Sequence, residues 1–177
     1  EDTDDALLAA RFGDTDDLRA FAARFGPAAL QRATDTNGNT LLHMAAANGH
    51  TDVLTYLLPL LPHPHPALLA QNAAGSTPLH WAALNAHLPA LQALVRFPRG
   101  PGAALVDARD AAGRSALAHA EEGGWEEGAR WLVGVMRIEG DGGAEGEGEG
   151  AEGLEGQEIE VEIEDADGGI ARLSLAQ

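Results

Sequence analysis

Two histidines, His43 and His80, hold matching places in two versions of one phrase, "NTLLHMAAANGH" at 39–50 and "STPLHWAALNAH" at 76–87. An imidazole titrates near neutral pH and is the commonest general base in catalysis. That role needs a nucleophile and an orienting acid beside it. No pattern in the chain gathers such a set around either histidine, so no catalytic residue is assigned and an enzyme is not expected. A second pair, His63 and His65 in "HPHP", suggests a metal clip, yet two imidazoles held apart by prolines fall short of a tetrahedral ligand set. An exposed loop is the expectation there, with no metal and no cofactor. The chain has no cysteine, which removes disulfides and thiolate sites and agrees with a reducing compartment.

Charge says more about partners. Asp and Glu number 28 against 11 basic residues, a formal net charge of -17, and every basic residue is Arg. Such a field repels phosphate backbones and anionic lipid and attracts basic proteins, so direct nucleic-acid or membrane binding is not expected. The simpler reading is that acidity keeps the protein in solution. No stretch approaches the roughly 20 apolar residues of a membrane-spanning helix, and "EDTDD" lacks the basic start of a secretory signal. A soluble intracellular protein is expected.

The residues of both phrases must be positioned by something, and the sequence supplies it by repetition. Gly38, Gly75 and Gly113 stand 37 and 38 residues apart, each followed by Thr40, Thr77 or Ser115 and then Leu42, Leu79 or Leu117. A weaker copy, "ALLAARFGDTDDLRAFA", aligns Gly13 with Gly49 and Ala9 and Ala10 with Ala45 and Ala46. Each unit reads as helix, turn, helix. In the second, Leu42, Ala45 and Ala46 share a helical face that stops at Gly49. A second helix follows with Val53, Leu54, Leu57 and Leu58 in one stripe, ended by Pro59. Leu88, Leu91, Leu94 and Val95 repeat that stripe in the third unit, and Ala129, Leu132 and Val133 in the fourth. Ala45, Ala46, Ala82 and Ala83 let neighbouring helix pairs approach closely. No unit can bury its stripe alone, so the copies must stack.

The units fall near 4–26, 35–61, 72–97 and 110–137, giving a helical domain over 1–138. Connectors headed by Pro and closed by Gly-containing turns join them. After Ile138, "EGDGGAEGEGEGAEGLEG" cannot bury a core, and residues 139–157 are expected to be a flexible acidic linker. In 158–177, Ile159, Val161 and Ile163 alternate with Glu158, Glu160, Glu162 and Glu164, a strand pattern that "DADGG" could turn back through Leu173 and Leu175 as a hairpin. A lone hairpin is marginal in water, so this tail is expected to be poorly ordered without a docking surface.

"GNTLLHMAAANGH" and "GSTPLHWAALNAH" resemble the ankyrin repeat, whose hallmark is a Gly-x-Thr-Pro-Leu-His run opening the first helix. The resemblance covers 35–95 well, extends with losses through Val133 and includes the first unit faintly. In the fourth unit Ala116 and Ala118 replace the usual Pro and His, and Trp125 stands where His50 and His87 do. The resemblance implies an all-α solenoid of about four units, with His43 and His80 as structural hydrogen-bonding residues and Gly38, Gly75 and Gly113 in the turns. "LHMAAANGH" followed by "LHWAALN", in a short chain with an acidic tail, is similar to the fungal ankyrin-repeat chaperones dedicated to small-subunit ribosomal protein number three. That family implies a non-enzymatic carrier, cytoplasmic and nuclear, that keeps a newly made basic ribosomal protein soluble and escorts it to ribosome assembly. A monomer is expected in its absence.

The resemblance further implies a concave face built from first helices and finger turns. It would present Asn37, Asn39, Ala47 and Asn48 from the second unit, Ser76, Leu84 and Asn85 from the third, and Arg114, Glu122 and Gly123 from the fourth. Met44 and Trp81 start the helices nearby. Trp81 is either the binding anchor, a Trp joining large area to a donor, or a core residue between units. Asp107, Asp110, Glu121, Glu122, Glu126 and Glu127 surround Trp125, which suits Arg and Lys side chains or else forms the solvated face of a cap. The tail offers its strand to a sheet edge of the partner, or acts as a polyanion. Two rival functions remain at this level: a generic ankyrin adaptor in a signalling or transcription complex, and an acidic histone-type chaperone working through the "EGEGEG" tract.

Overall fold

The structure is a computed structural model that describes residues 2–61, 66–98, 100–141, 159–164 and 170–175. It divides into two bodies, Glu1–Ala144 and Glu145–Gln177.

The first body is a row of helix pairs. They are α1 (Asp2–Phe12) with α2 (Thr15–Phe25), α4 (Leu41–Asn48) with α5 (Thr51–Leu57), α6 (Pro78–Leu84) with α7 (Leu88–Val95), and α9 (Ala116–Glu122) with α10 (Glu126–Asp141). The inner helices stack α1 on α4, α4 on α6 and α6 on α9, while α2 meets α5 and α5 meets α7. Alanine makes this stacking possible: Ala45, Ala46, Ala82 and Ala83 are all buried, as are Ala9 and Ala10 in the first unit. Each outer helix contributes a fully buried leucine, Leu18, Leu54, Leu91 or Leu132. Removing such a side chain from water stabilises by about 1.5–3 kcal/mol, and only a neighbour can cover it.

The Pro-headed connectors differ from expectation. They hold short helices of their own, α3 (Pro27–Arg32) and α8 (Ala103–Asp107), and a 3₁₀ turn at Pro66–Leu68. Apolar burial explains the folding of these segments, since Leu30, Leu68, Leu105 and Val106 all reach the main core. Pro59 also does not end its helix in coil. The chain tightens into a 3₁₀ turn over Leu58–Leu60, in which proline sits near the start, where its missing N–H costs nothing. At the far end α10 runs to Asp141, past the expected boundary at Ile138.

The turns inside the pairs explain one exception. Gly13, Gly49 and Gly124 take positive φ there, and the third unit places Ala86 at the same point with φ 58°, where it is the only non-glycine residue of positive φ among those described. A Cβ in that region costs about 1 kcal/mol. Ala86→Gly is therefore expected to raise stability by about 0.5 kcal/mol once the greater freedom of glycine in the unfolded chain is subtracted. A higher urea midpoint at unchanged slope checks this.

In the second body β1 (Ile159–Glu164) pairs antiparallel with β2 (Ile170–Leu175), in the register Ile159 opposite Leu175 and Glu164 opposite Ile170. The period-two alternation of apolar and acidic residues accounts for β1 being a strand. The "DADGG" turn lies outside the described residues, as does the expected flexible linker apart from residues 139–141 within α10.

Candidate partner-binding face

Each finger turn is tied by one side chain that the motif reading overlooked. Asp35, Asn72 and Asp110 stand three residues before Gly38, Gly75 and Gly113. The Oδ1 atom of each accepts from the amides two and four residues on, at 2.8–3.0 Å: Asn37 and Asn39, Ala74 and Ser76, Ala112 and Arg114. Turns then join one another along the row. The Ala73 amide donates to the Asn37 carbonyl at 2.8 Å, and the Ala111 amide to the Ala74 carbonyl at 3.0 Å.

The histidines lock the next link. The Thr40 amide donates to Nδ1 of His43 at 3.1 Å, and Nε2 lies 2.9 Å from the Ser76 carbonyl of the following unit. His80 repeats this with the Thr77 amide at 3.1 Å and the Arg114 carbonyl at 3.0 Å. Each ring thus accepts on one nitrogen and donates on the other, which requires the neutral form. Burial pushes both below their ordinary 6.5, outweighing the carbonyl bond that favours the charged form. Gly113 is followed by Ala118 where a third His would stand, and His119, one place on, turns inward to Oδ2 of Asp110 at 2.9 Å.

A pH dependence follows. A histidine with a depressed folded pKa binds fewer protons when native, so its contribution is complete above about 6.5 and is lost as pH falls from there toward the folded value. Stability is expected to drop on acidification from pH 7.5 to 5.5, by at most about 1.4 kcal/mol per histidine per pH unit. Asp35 and Asp110 extend the trend below about 3.8. Burial raises both carboxyls, but amide and side-chain donors from Asn39 and Asn37, or from Arg114, His119 and Ala112, outweigh it and hold them low. Urea unfolding across this range measures the slope.

These bonds decide which expected contact residues face outward. Asn39 does not: it is buried, donates to Asp35 Oδ2 at 2.8 Å and accepts from Asn72 at 2.7 Å. Asp110 does not either. Its carboxylate is buried at 2% exposure, held by the turn amides, His119 and the Arg114 guanidinium at 3.0 Å. Both corrections have one cause: a short polar side chain beside a turn satisfies backbone donors before it meets a partner.

The remainder of the face is open. Asn37, Asn48, Leu84 and Asn85 are exposed, Leu84 at 58%. Met44 and Trp81 are half-buried at equivalent places, and the Trp81 ring stands edge-on to His43 with centroids 6.4 Å apart. Asn48 and Asn85 donate to the Met44 and Trp81 carbonyls at 2.8 and 2.9 Å, which fixes both side chains one turn beyond the larger residue. Adjacent inner helices therefore bring Met44, Trp81 and Leu84 to one surface.

In the fourth unit Glu121, Glu122, Glu126 and Glu127 are exposed around a half-buried Trp125. Trp125 packs on the core and lies flat against Gly128, where a Cβ would overlap its ring. Two of these carboxylates are met by the protein's own arginines, Glu122 by Arg114 at 3.3 Å and Glu126 by Arg130 at 3.9 Å. Both pairs are solvated and weak, so an incoming arginine can displace them at little cost. Glu160, Glu162 and Glu164 occupy β1, and Glu158 with His63 and His65 falls outside the described residues. Charge is distributed unevenly: residues 1–138 hold 15 acidic and 10 basic residues, and 139–177 hold 13 and 1. Among the described residues, no group of three or more His, Asp or Glu is placed to hold a metal ion, and no helix is long and apolar enough to cross a membrane.

Comparison with known proteins decides the family. The family model for ankyrin repeats in three copies matches residues 6–101. The chain belongs to the ankyrin-repeat family. Within that family it is similar to the ankyrin repeat-containing protein YAR1 of Saccharomyces cerevisiae, 42% identical over 60 residues, which are 33% of this chain and 30% of that relative. The match therefore spans under a third of YAR1's length. Among solved structures it resembles a chain in the crystal structure of the yeast ribosomal protein Rps3 in complex with its chaperone Yar1, with a TM-score of 0.68 and 31% identity, covering 76% of this chain and 92% of that one. The ankyrin scaffold accounts for the His and Gly residues of the repeated phrase. It leaves Met44, Trp81 and Leu84 unexplained, because the fold needs no particular residue there.

Proposed function

We propose that this protein is a dedicated chaperone of small-subunit ribosomal protein Rps3: it binds the newly made basic protein, keeps it soluble and escorts it through cytoplasm and nucleus to ribosome assembly. The observation that carries this reading is the likeness to the solved Rps3–Yar1 complex across 92% of the matched chain. The chemistry of the face supports it. Trp81 and Leu84 supply an apolar centre, exposed carboxylates in the fourth unit supply a counter-charge for Arg and Lys, and the surplus of acid stands in for the RNA phosphates that Rps3 later meets. Catalysis has no part in this function.

Mixing the purified protein with Rps3 and separating by size is expected to give one discrete complex at physiological salt. Separate elution of the two would refute the proposal. A second reading, an acidic histone-type chaperone, draws on the 13 acidic residues against a single Arg in 139–177. Truncation after Ile138 separates the two: a face binder retains Rps3, whereas a polyanion loses nearly all binding.

A further inference from the structure

The first helix pair carries apolar surface that no other described residue covers. Here Leu8 is 46% exposed, Phe12 73% and Phe25 40%, on a groove of about 550 Å³ between α1 and α2. Asp5, Leu8 and Phe12 follow one another at three and four residues along α1, hence on one stripe. On the opposite stripe of α1 Leu7 and Ala10 are buried, while the buried Ala6 and Ala9 line the floor of the groove. Carboxylates rim the groove, Asp5 and Asp17 among them, and no basic side chain among the described residues pairs with either. Arg24 shows what the rim accepts: its guanidinium sits 4.5 Å over the Phe25 ring and donates to Asp2 at 3.1 Å.

We propose that the α1–α2 groove is a second docking surface, for a basic amphipathic segment of a protein partner. The segment's apolar side chains cover Leu8, Phe12 and Phe25, and its Arg or Lys residues meet Asp5 and Asp17. Charge complementarity selects this occupant. A second copy of the chain would set carboxylates against carboxylates, and anionic lipid or nucleic acid would meet the same repulsion. The surface is distinct from the Trp81 face and does not depend on the partner being Rps3.

The test uses the full chain and a fluorescein-labelled peptide with leucine and arginine at helical spacing, read by anisotropy. Saturable binding is expected, weakened at least about tenfold by Phe12→Ser, and with a flatter salt dependence after Asp5→Asn combined with Asp17→Asn. Trp81→Ala is expected to bind the peptide as the parent does, which separates failure here from failure of the chaperone reading. Phe12 is largely exposed, so unchanged urea unfolding of its variant is the folding check. The proposal is overturned if Phe12→Ser binds undiminished, if a peptide carrying glutamate in place of arginine binds equally, or if Phe12→Ser turns a dimer of the free protein into a monomer.

Discussion

Gly75→Ala is expected to destabilise the array by about 3 kcal/mol or more, whereas the same change at Gly113 costs about 1 kcal/mol. Both glycines occupy equivalent finger turns with nearly equal φ, 71° and 78°. A Cβ at such a φ carries a strain of about 1 kcal/mol wherever it stands. The difference comes from the neighbour. At Gly75 the added atom would collide with the Ala111 amide nitrogen of the next turn, while at Gly113 nothing lies within 4 Å. Relief requires the Ala111 backbone to move, and with it the hydrogen bond to Ala74, so an overpacking penalty of about 1–3 kcal/mol is added. Urea unfolding of the two variants measures turn-to-turn contact apart from turn strain. Equal losses would mean that the turns do not bear on one another.

Trp81→Ala is expected to weaken Rps3 binding by about 2 kcal/mol, roughly thirtyfold, with a smaller loss of stability. The side chain is half-buried with its ring centroid 6.4 Å from that of His43, so part of it meets the scaffold and part stays accessible to a partner. Calorimetric titration at fixed salt, beside a urea curve of the same variant, separates anchor from core residue. A core residue would lower stability by several kcal/mol and leave the affinity of the folded protein unchanged.

The helices and their order were legible because the stacking requirement is written as recurrence. Gly38, Gly75 and Gly113 with their following Thr or Ser and Leu set the register, and the paired alanines marked where helices touch. The connector helices were not legible, since six residues from Pro27 or five from Ala103 are too short to show a helical period. Asn39 and Asp110 were misplaced for a different reason: composition cannot tell a polar side chain aimed at solvent from one aimed at its own backbone. The signal that could have decided it was Asp35, Asn72 and Asp110, each three residues before a turn glycine. The groove of the first unit was hidden too, because the exposure of Leu8 or Phe12 depends on how α1 packs among the described helices.

The most direct test of the whole account is the solubility of Rps3. Purified Rps3 is diluted to physiological salt with and without an equal amount of this protein, and the fraction remaining in solution after centrifugation is measured. The account predicts that Rps3 stays in solution with the protein present and sediments without it, the protection fading as salt is raised. Equal sedimentation in both samples would contradict it.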